Sequence, residues 1–271
     1  MNARLFRGET RIEAIPADDR GLAYGDGLFE TLRVHRGDAP WWNDHWTRLR
    51  LGAERLGIPL PDEARLREEA ASLFADGGDG VLKMLVTRGA GERGYAPPAD
   101  PVPTWVLSRH AVPVTPAHGL RLHACETRLA AQPTLAGIKH CNRLEQVLAR
   151  AEAERAGADE GLVLDSAGNA VGATAANLFA SIDGRWVTPA IVDCGVAGVC
   201  RARLLPAIDA AQRVLALAEV EAADSVFLCN AVRGILPVAR LGAREWAPHP
   251  AVSAAREALS RLHPSFVVES A

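Results

Sequence analysis

Apolar and polar residues alternate through residues 28–34 and 81–87, which predicts two β-strands in the first part of the chain. Between them the period lengthens. Leu49, Ala53 and Leu56 share one helical face behind Asn43 and Asp44, good residue types for a helix N-cap. Leu66, Ala70 and Phe74 do the same behind Pro61 and Asp62. Strand, two helices and strand imply an α+β layer. The prolines of residues 111–116 favour extended backbone and mark a linker. The expected division is an N-terminal α+β domain over 1–115 and a C-terminal domain over 116–271.

The second part opens on a strand over 120–125, and a helix fits 142–156. Strands over 161–164, 177–182 and 186–188 alternate with turns at Ala167-Gly168-Asn169 and Asp183-Gly184, a meander of hairpins. A helix over 199–214 contains Pro206, which predicts a kink or a late start. A strand over 225–229 and a helix over 251–262 complete the pattern.

Composition narrows the function. The chain has 271 residues, 48% apolar and 23% charged, the balance of a globular protein with a sizeable core. A net charge of −3 with interspersed signs offers no stripe for nucleic acid or a membrane surface. No apolar run is long enough to span a bilayer, and the first residues lack a signal-peptide core, so a cytoplasmic location is expected. The five cysteines are odd in number and have no CxxC spacing, which predicts free, buried thiols and neither a zinc site nor a disulfide framework. A dinucleotide enzyme is disfavoured, because no GxGxxG run combines a preceding strand with an acid about 20 residues on.

The most informative segment is Gly137-Ile138-Lys139-His140-Cys141-Asn142-Arg143-Leu144-Glu145. The chain has two lysines, Lys83 and Lys139, and Lys139 lies among apolar residues just before a predicted helix. Burial lowers an amine pKa, and a neutral amine is what a Schiff base requires. Pattern alone leaves Lys139 either a surface side chain or such an amine. With its flanks, however, the segment resembles the Schiff-base lysine run of the fold-type IV pyridoxal-phosphate (PLP) enzymes. These include branched-chain and D-amino-acid aminotransferases and aminodeoxychorismate lyases, and the run is most similar to the lyases. The blocks Tyr24-Gly25-Asp26-Gly27-Leu28-Phe29-Glu30-Thr31, Ala158–Ser166 and Ala175-Ala176-Asn177-Leu178-Phe179 resemble further family signatures in the right order.

The resemblance implies an α+β fold of two domains, a smaller N-terminal sandwich and a larger, β-barrel-like C-terminal domain with helices. It implies PLP on Lys139, elimination of pyruvate from aminodeoxychorismate to give 4-aminobenzoate, and a homodimer. The His45-Trp46-Thr47-Arg48-Leu49 run gives the phosphate to Arg48, which by pattern alone is an ordinary helix arginine. The glycine-punctuated entry to a helix gives it the amides of Val199 and Cys200, and a second turn those of Asn230 and Ala231. Residues 83–95 resemble the lyases' glycine-rich block, which makes Arg93 and Tyr95 the substrate contacts. Thr31 matches a threonine that assists proton transfer. Tyr24 and Asp26 read as structural.

One departure stands out. The family glutamate that pairs with the pyridine nitrogen falls at Gly172 here. Glu160 and Asp165 belong to the preceding strand and are not simple substitutes. A water, Thr174 or a residue remote in sequence is left to serve the nitrogen. Because forming an aromatic ring drives the elimination, the gap is expected to suit a lyase better than a transaminase. A transaminase or a non-catalytic member of the same fold remains the alternative.

Overall fold

The structure, a computed structural model, describes residues 2–116 and 118–267. The chain forms two compact units, Met1–Val112 with Ile138–Asn142, and Pro113–Gly137 with Arg143–Ala271. The return of Ile138–Asn142 to the first unit is absent from a division made at a single linker. Its cause is backbone pairing, described with the site.

The first unit is built on an antiparallel sheet of five strands: β1 (Asn2–Arg7), β2 (Thr10–Ile12), β3 (Gly27–Val34), β4 (Gly80–Thr87) and β5 (Thr104–His110). Their order is β2-β1-β5-β4-β3, which leaves β3 at an edge. Helix α1 (Arg20–Tyr24) precedes β3, and α2 (Trp42–Leu56) and α3 (Glu63–Ser72) follow it. The strands expected over 28–34 and 81–87 are β3 and β4, each one residue longer. Asp62 caps α3 by accepting from the Arg65 amide at 2.9 Å. Helix α2 starts earlier than Asn43 and Asp44 imply, with Trp41 at its N-cap, because both Trp41 and Trp42 are drawn into the core. In β3, Leu28, Glu30, Leu32 and Val34 are buried. Gly52 of α2 lies against Leu28 so closely that an added Cβ would come within 2.9 Å of a Leu28 methyl.

The second unit holds β6 (Leu120–Leu129), α4 (Leu144–Arg155), β7 (Glu160–Asp165), β8 (Ala170–Ala173), β9 (Asn177–Ile182) and β10 (Arg185–Pro189). Then come α5 (Val199–Ala207), β11 (Ala211–Arg213), α6 (Leu217–Ala222), β12 (Ser225–Asn230), β13 (Gly234–Leu241), β14 (Arg244–Glu245) and α7 (Pro250–Ser260). The strand order is β11-β10-β9-β12-β13-β6-β7-β8, with β14 on β13. The sheet curls, so Ala170 of β8 and Val187 of β10 share one buried cluster with Leu162, Leu178, Leu228 and Leu236.

Two expectations are corrected here. The meander is two separate hairpins, β7–β8 and β9–β10, because β8 and β9, joined by the Ala173–Ala176 turn, are not paired neighbours in the sheet. The helix expected over 199–214 stops at Ala207. Asp209 takes a left-handed φ of 50°, and the following residues join β10 as the parallel strand β11. Substituting Gly52 with leucine should overpack the α2–β3 contact and lower the unfolding free energy by about 1–3 kcal/mol. Urea unfolding at constant m-value measures this.

Candidate active site

Edge strand β3 has a row of unpaired backbone groups, and residues 138–142 fill it. The Phe29 amide donates to the Lys139 carbonyl at 3.0 Å, and the Cys141 amide donates to the Gly27 carbonyl at 2.9 Å. The inserted segment alternates like a strand. Ile138 turns to the helix-covered face, where it is buried beside Gly52. Lys139 turns the other way, and its Nζ stands 4.3 Å from the centre of the Phe29 ring. Lys83 Nζ is 5.7 Å from the same ring centre. Thr31 belongs to this face by strand alternation and pairs across the sheet with Lys83. Both lysines therefore stand over one aromatic ring, and the candidate threonine lies on the same face of the sheet.

On the helix-covered side, Glu30 is 1% exposed and would be costly to bury alone. Arg48 grips it with two bonds, Nε to Oε1 at 2.7 Å and Nη2 to Oε2 at 2.5 Å. The His45 Nδ1 lies 2.6 Å from Oε2. Burial by itself raises the Glu30 pKa, but the Arg48 charge, then His45, overrides it and brings the carboxyl to about 2. Burial also pushes the His45 pKa below its ordinary value, more than Glu30 lifts it. At neutral pH the imidazole is therefore neutral and donates from Nδ1, and the Arg48 guanidinium brings a full positive charge to the carboxylate. A bidentate carboxylate fixes the plane of the guanidinium and aims its remaining N–H groups. Sequence reading singled out Arg48 and passed over Glu30. The signal was present, since an acid stands at a core-phase position of β3.

In the second unit, α5 begins at Gly198, which supplies no capping side chain. The Val199 and Cys200 amides thus lie in a first turn whose N–H groups have no intrahelical partner. Gly198 has no room for a side chain, because a Cβ would lie 2.0 Å from Asn177 Oδ1. Cys200 and Cys229 are buried against each other, and burial, then the neighbouring thiol, pushes Cys200 well above its ordinary pKa. Asn230 organises the next turn. Its Oδ1 accepts from the Val232 and Arg233 amides at 3.0 and 2.8 Å, and its Nδ2 donates to the Ala175 carbonyl at 3.1 Å. Ala231 follows, 9% exposed.

Gly172 is buried in β8, opposite Val163. The buried acid of this region is Glu160, 3% exposed. Its Oε1 accepts from the Thr174 hydroxyl and, at 2.9 Å, from the Gly161 amide. Arg150 and Arg233 approach it at 3.8 and 3.9 Å. Asp165 is used differently, accepting from the Ala167 and Asn169 amides within its own turn. Glu160 thus reaches across to the residue two beyond Gly172, a contact that position in sequence did not suggest.

Arg93 and Tyr95 lie on the loop after β4, and Tyr95 is 86% exposed. The Tyr95 ring packs near Tyr24, with centres 5.4 Å apart.

A sequence profile described as Amino-transferase class IV matches residues 27–241. The chain belongs to that family. Class IV enzymes are PLP-dependent, and PLP is the cofactor of this chain. A solved 4-amino-4-deoxychorismate lyase from Pseudomonas aeruginosa superposes with a TM-score of 0.88 at 46% identity, covering 95% of this chain and 98% of that one. The fold is therefore the two-domain α+β architecture of fold type IV. An aminodeoxychorismate lyase from Vibrio harveyi is 34% identical over 85% of this chain and 89% of its own length. A D-alanine aminotransferase from Bacillus licheniformis is 25% identical over 88% of this chain and 86% of its own. The class IV residues present here fit a phosphorylated aldehyde. Among the described residues they include an amine over an aromatic ring, a pre-aimed guanidinium and a glycine-bared helix end.

Glu30 has a clear pH signature. Its folded pKa lies below the ordinary 4.5, so its contribution is complete above about 4.5 and is lost as pH falls toward about 2. The Glu30→Gln chain should lack this component, worth about 3 kcal/mol at neutral pH. Urea unfolding of both chains across that window checks it, and parallel slopes would contradict the assignment.

Proposed function

We propose that the chain is a 4-amino-4-deoxychorismate lyase that forms 4-aminobenzoate, a folate precursor, and pyruvate. The observation that carries this reading is the Lys139 amine set on Phe29 by edge-strand pairing, in a chain 46% identical to a solved lyase.

When bound, PLP supplies an aldehyde for the substrate amine and a ring that takes up electrons. Lys139 is its attachment point. Its phosphate would be taken in the first unit by Arg48, held by Glu30, and in the second by the Val199 and Cys200 amides and the Asn230 and Ala231 backbone. The Thr174 hydroxyl, backed by Glu160, is the polar group that serves the ring nitrogen in place of a glutamate at 172. Arg93 meets the substrate carboxylates, and Tyr95 lies beside it. The Lys139 amine takes the proton from the substrate carbon that bears nitrogen. The enolpyruvyl ether then leaves, and Lys139 or Thr31 returns a proton to it. Departure leaves an aromatic ring, which makes the step downhill with little help from the cofactor's ring nitrogen. The working form is a cytoplasmic homodimer. No helix among the described residues is long and apolar enough to cross a membrane.

Likeness to a D-alanine aminotransferase supports transamination as the second reading, and Gly172 argues against it as the main activity. The deciding assay supplies enzymatically made aminodeoxychorismate and follows 4-aminobenzoate and pyruvate together. A parallel reaction contains D-alanine and 2-oxoglutarate. Lysis should exceed transamination, and the reverse result refutes the proposal. Borohydride reduction of the PLP-loaded protein should place the pyridoxyl mass on the Lys139 peptide and leave Lys139→Ala unlabelled. Gly172→Glu should shift the balance toward transamination, although its Cβ meets the Ala176 carbonyl at 3.0 Å.

A further inference from the structure

The loop that carries Arg93 and Tyr95 has no helix or strand of its own between Ala90 and Pro103. It is nevertheless tied down from beneath by one side chain. Arg20, in α1, is 4% exposed. Its Nη1 donates to the carbonyls of Gly94 at 3.0 Å and Ala96 at 3.2 Å. Its Nη2 donates to the Tyr95 carbonyl at 3.0 Å. Three successive carbonyls thus converge on one guanidinium that still has Nε for Asp26, four bonds that the fixed five-donor fork of arginine can make and the three donors of a lysine cannot. Tyr24 completes the clamp. Its ring lies 5.0 Å from the guanidinium, and its hydroxyl accepts from the Gly94 amide at 3.2 Å.

Arg20 is fixed in turn by Asp26. Its Nε donates to Asp26 Oδ2 at 2.9 Å. Arg88 holds the same carboxylate with Nε at 2.7 Å and Nη2 at 3.0 Å. Arg88 also donates to the carbonyls of Gly57 at 2.6 Å and Leu56 at 2.8 Å, the C-terminal end of the helix that carries Arg48. One carboxylate therefore joins the support of the glycine-rich loop to the support of α2. Gly91 leaves the room that Arg20 needs, since a Cβ there would lie 2.9 Å from Arg20 Cδ.

We propose that Arg20, seated on Asp26, is a positioning residue for substrate recognition: it holds the Gly94–Ala96 backbone so that Arg93 and Tyr95 are presented in one place. This rests on the reading of Arg93 and Tyr95 as substrate contacts. Arg20 itself touches no substrate. An ordered loop meets its ligand without first losing conformational entropy, so the clamp acts on binding more than on the chemical step.

The test uses PLP-loaded Arg20→Gln, Arg20→Lys and Tyr24→Phe chains beside the unmodified protein. In Arg20→Gln the KM for aminodeoxychorismate should rise about tenfold with kcat changed less than about threefold. Arg20→Lys should recover little of the loss. Limited trypsin treatment, read by the mass of the fragment ending at Arg93, should cut Arg20→Gln faster than the unmodified chain, while bound PLP per chain stays the same. If Arg20→Gln does not fold, Tyr24→Phe decides, because it removes one acceptor and keeps the ring. It should show the same trends more weakly. An unchanged KM together with unchanged cleavage after Arg93 overturns the proposal. If no chain lyses the substrate, the functional reading fails, and cleavage after Arg93 alone judges the clamp: faster in the variants upholds it, equal rates reject it.

Discussion

A β-strand at the edge of a sheet must find partners for its outward amides and carbonyls, and in this protein the partner is the segment that carries Lys139. Pairing of Phe29 with Lys139 and of Gly27 with Cys141 sets the register of residues 138–142. Register then decides everything about the lysine. A slip of one residue would turn Ile138 toward Phe29 and drive the amine into the helix-covered core. The same strand holds Glu30 on its other side, so one eight-residue element fixes both the amine and, through the Glu30 carboxylate, Arg48.

Much of this architecture could be read from the order of residues. Strands β3 and β4 and helices α2 and α3 follow from period, and Asp62 from cap chemistry, because each is a local property. The segment around Lys139 was legible through its likeness to a known run. What escaped depends on tertiary partners. Strands β1 and β2 are short and charged and exist because β5 is there to pair with β1. Helix α1 has five residues, too few for a period to emerge. Strand β11 follows from a backbone reversal at Asp209 that no side-chain pattern announces. Glu30 stood at a core-phase position, but its meaning required Arg48, eighteen residues away, as its partner.

Gly172 illustrates how a missing side chain is judged. By sequence, an acid is absent and its neighbours stand on the wrong strand. In space, Glu160 turns toward Thr174, two residues past the gap, with Arg150 and Arg233 approaching it at 3.8 and 3.9 Å. A hydroxyl that donates to a carboxylate is polarised and becomes a better acceptor on its other side. The negative charge of Glu160 is thus felt beyond the atoms that it touches, through the Thr174 hydroxyl.

The scarcity of lysine has a practical side. Two amine-bearing side chains occur in the whole chain, and both stand around the ring of Phe29. Elsewhere the chain meets its need for positive charge with arginine, which amine-directed reagents ignore. Acylating dyes and isotope tags would therefore report almost solely on this one spot and the chain terminus, giving a probe of the site without an engineered handle.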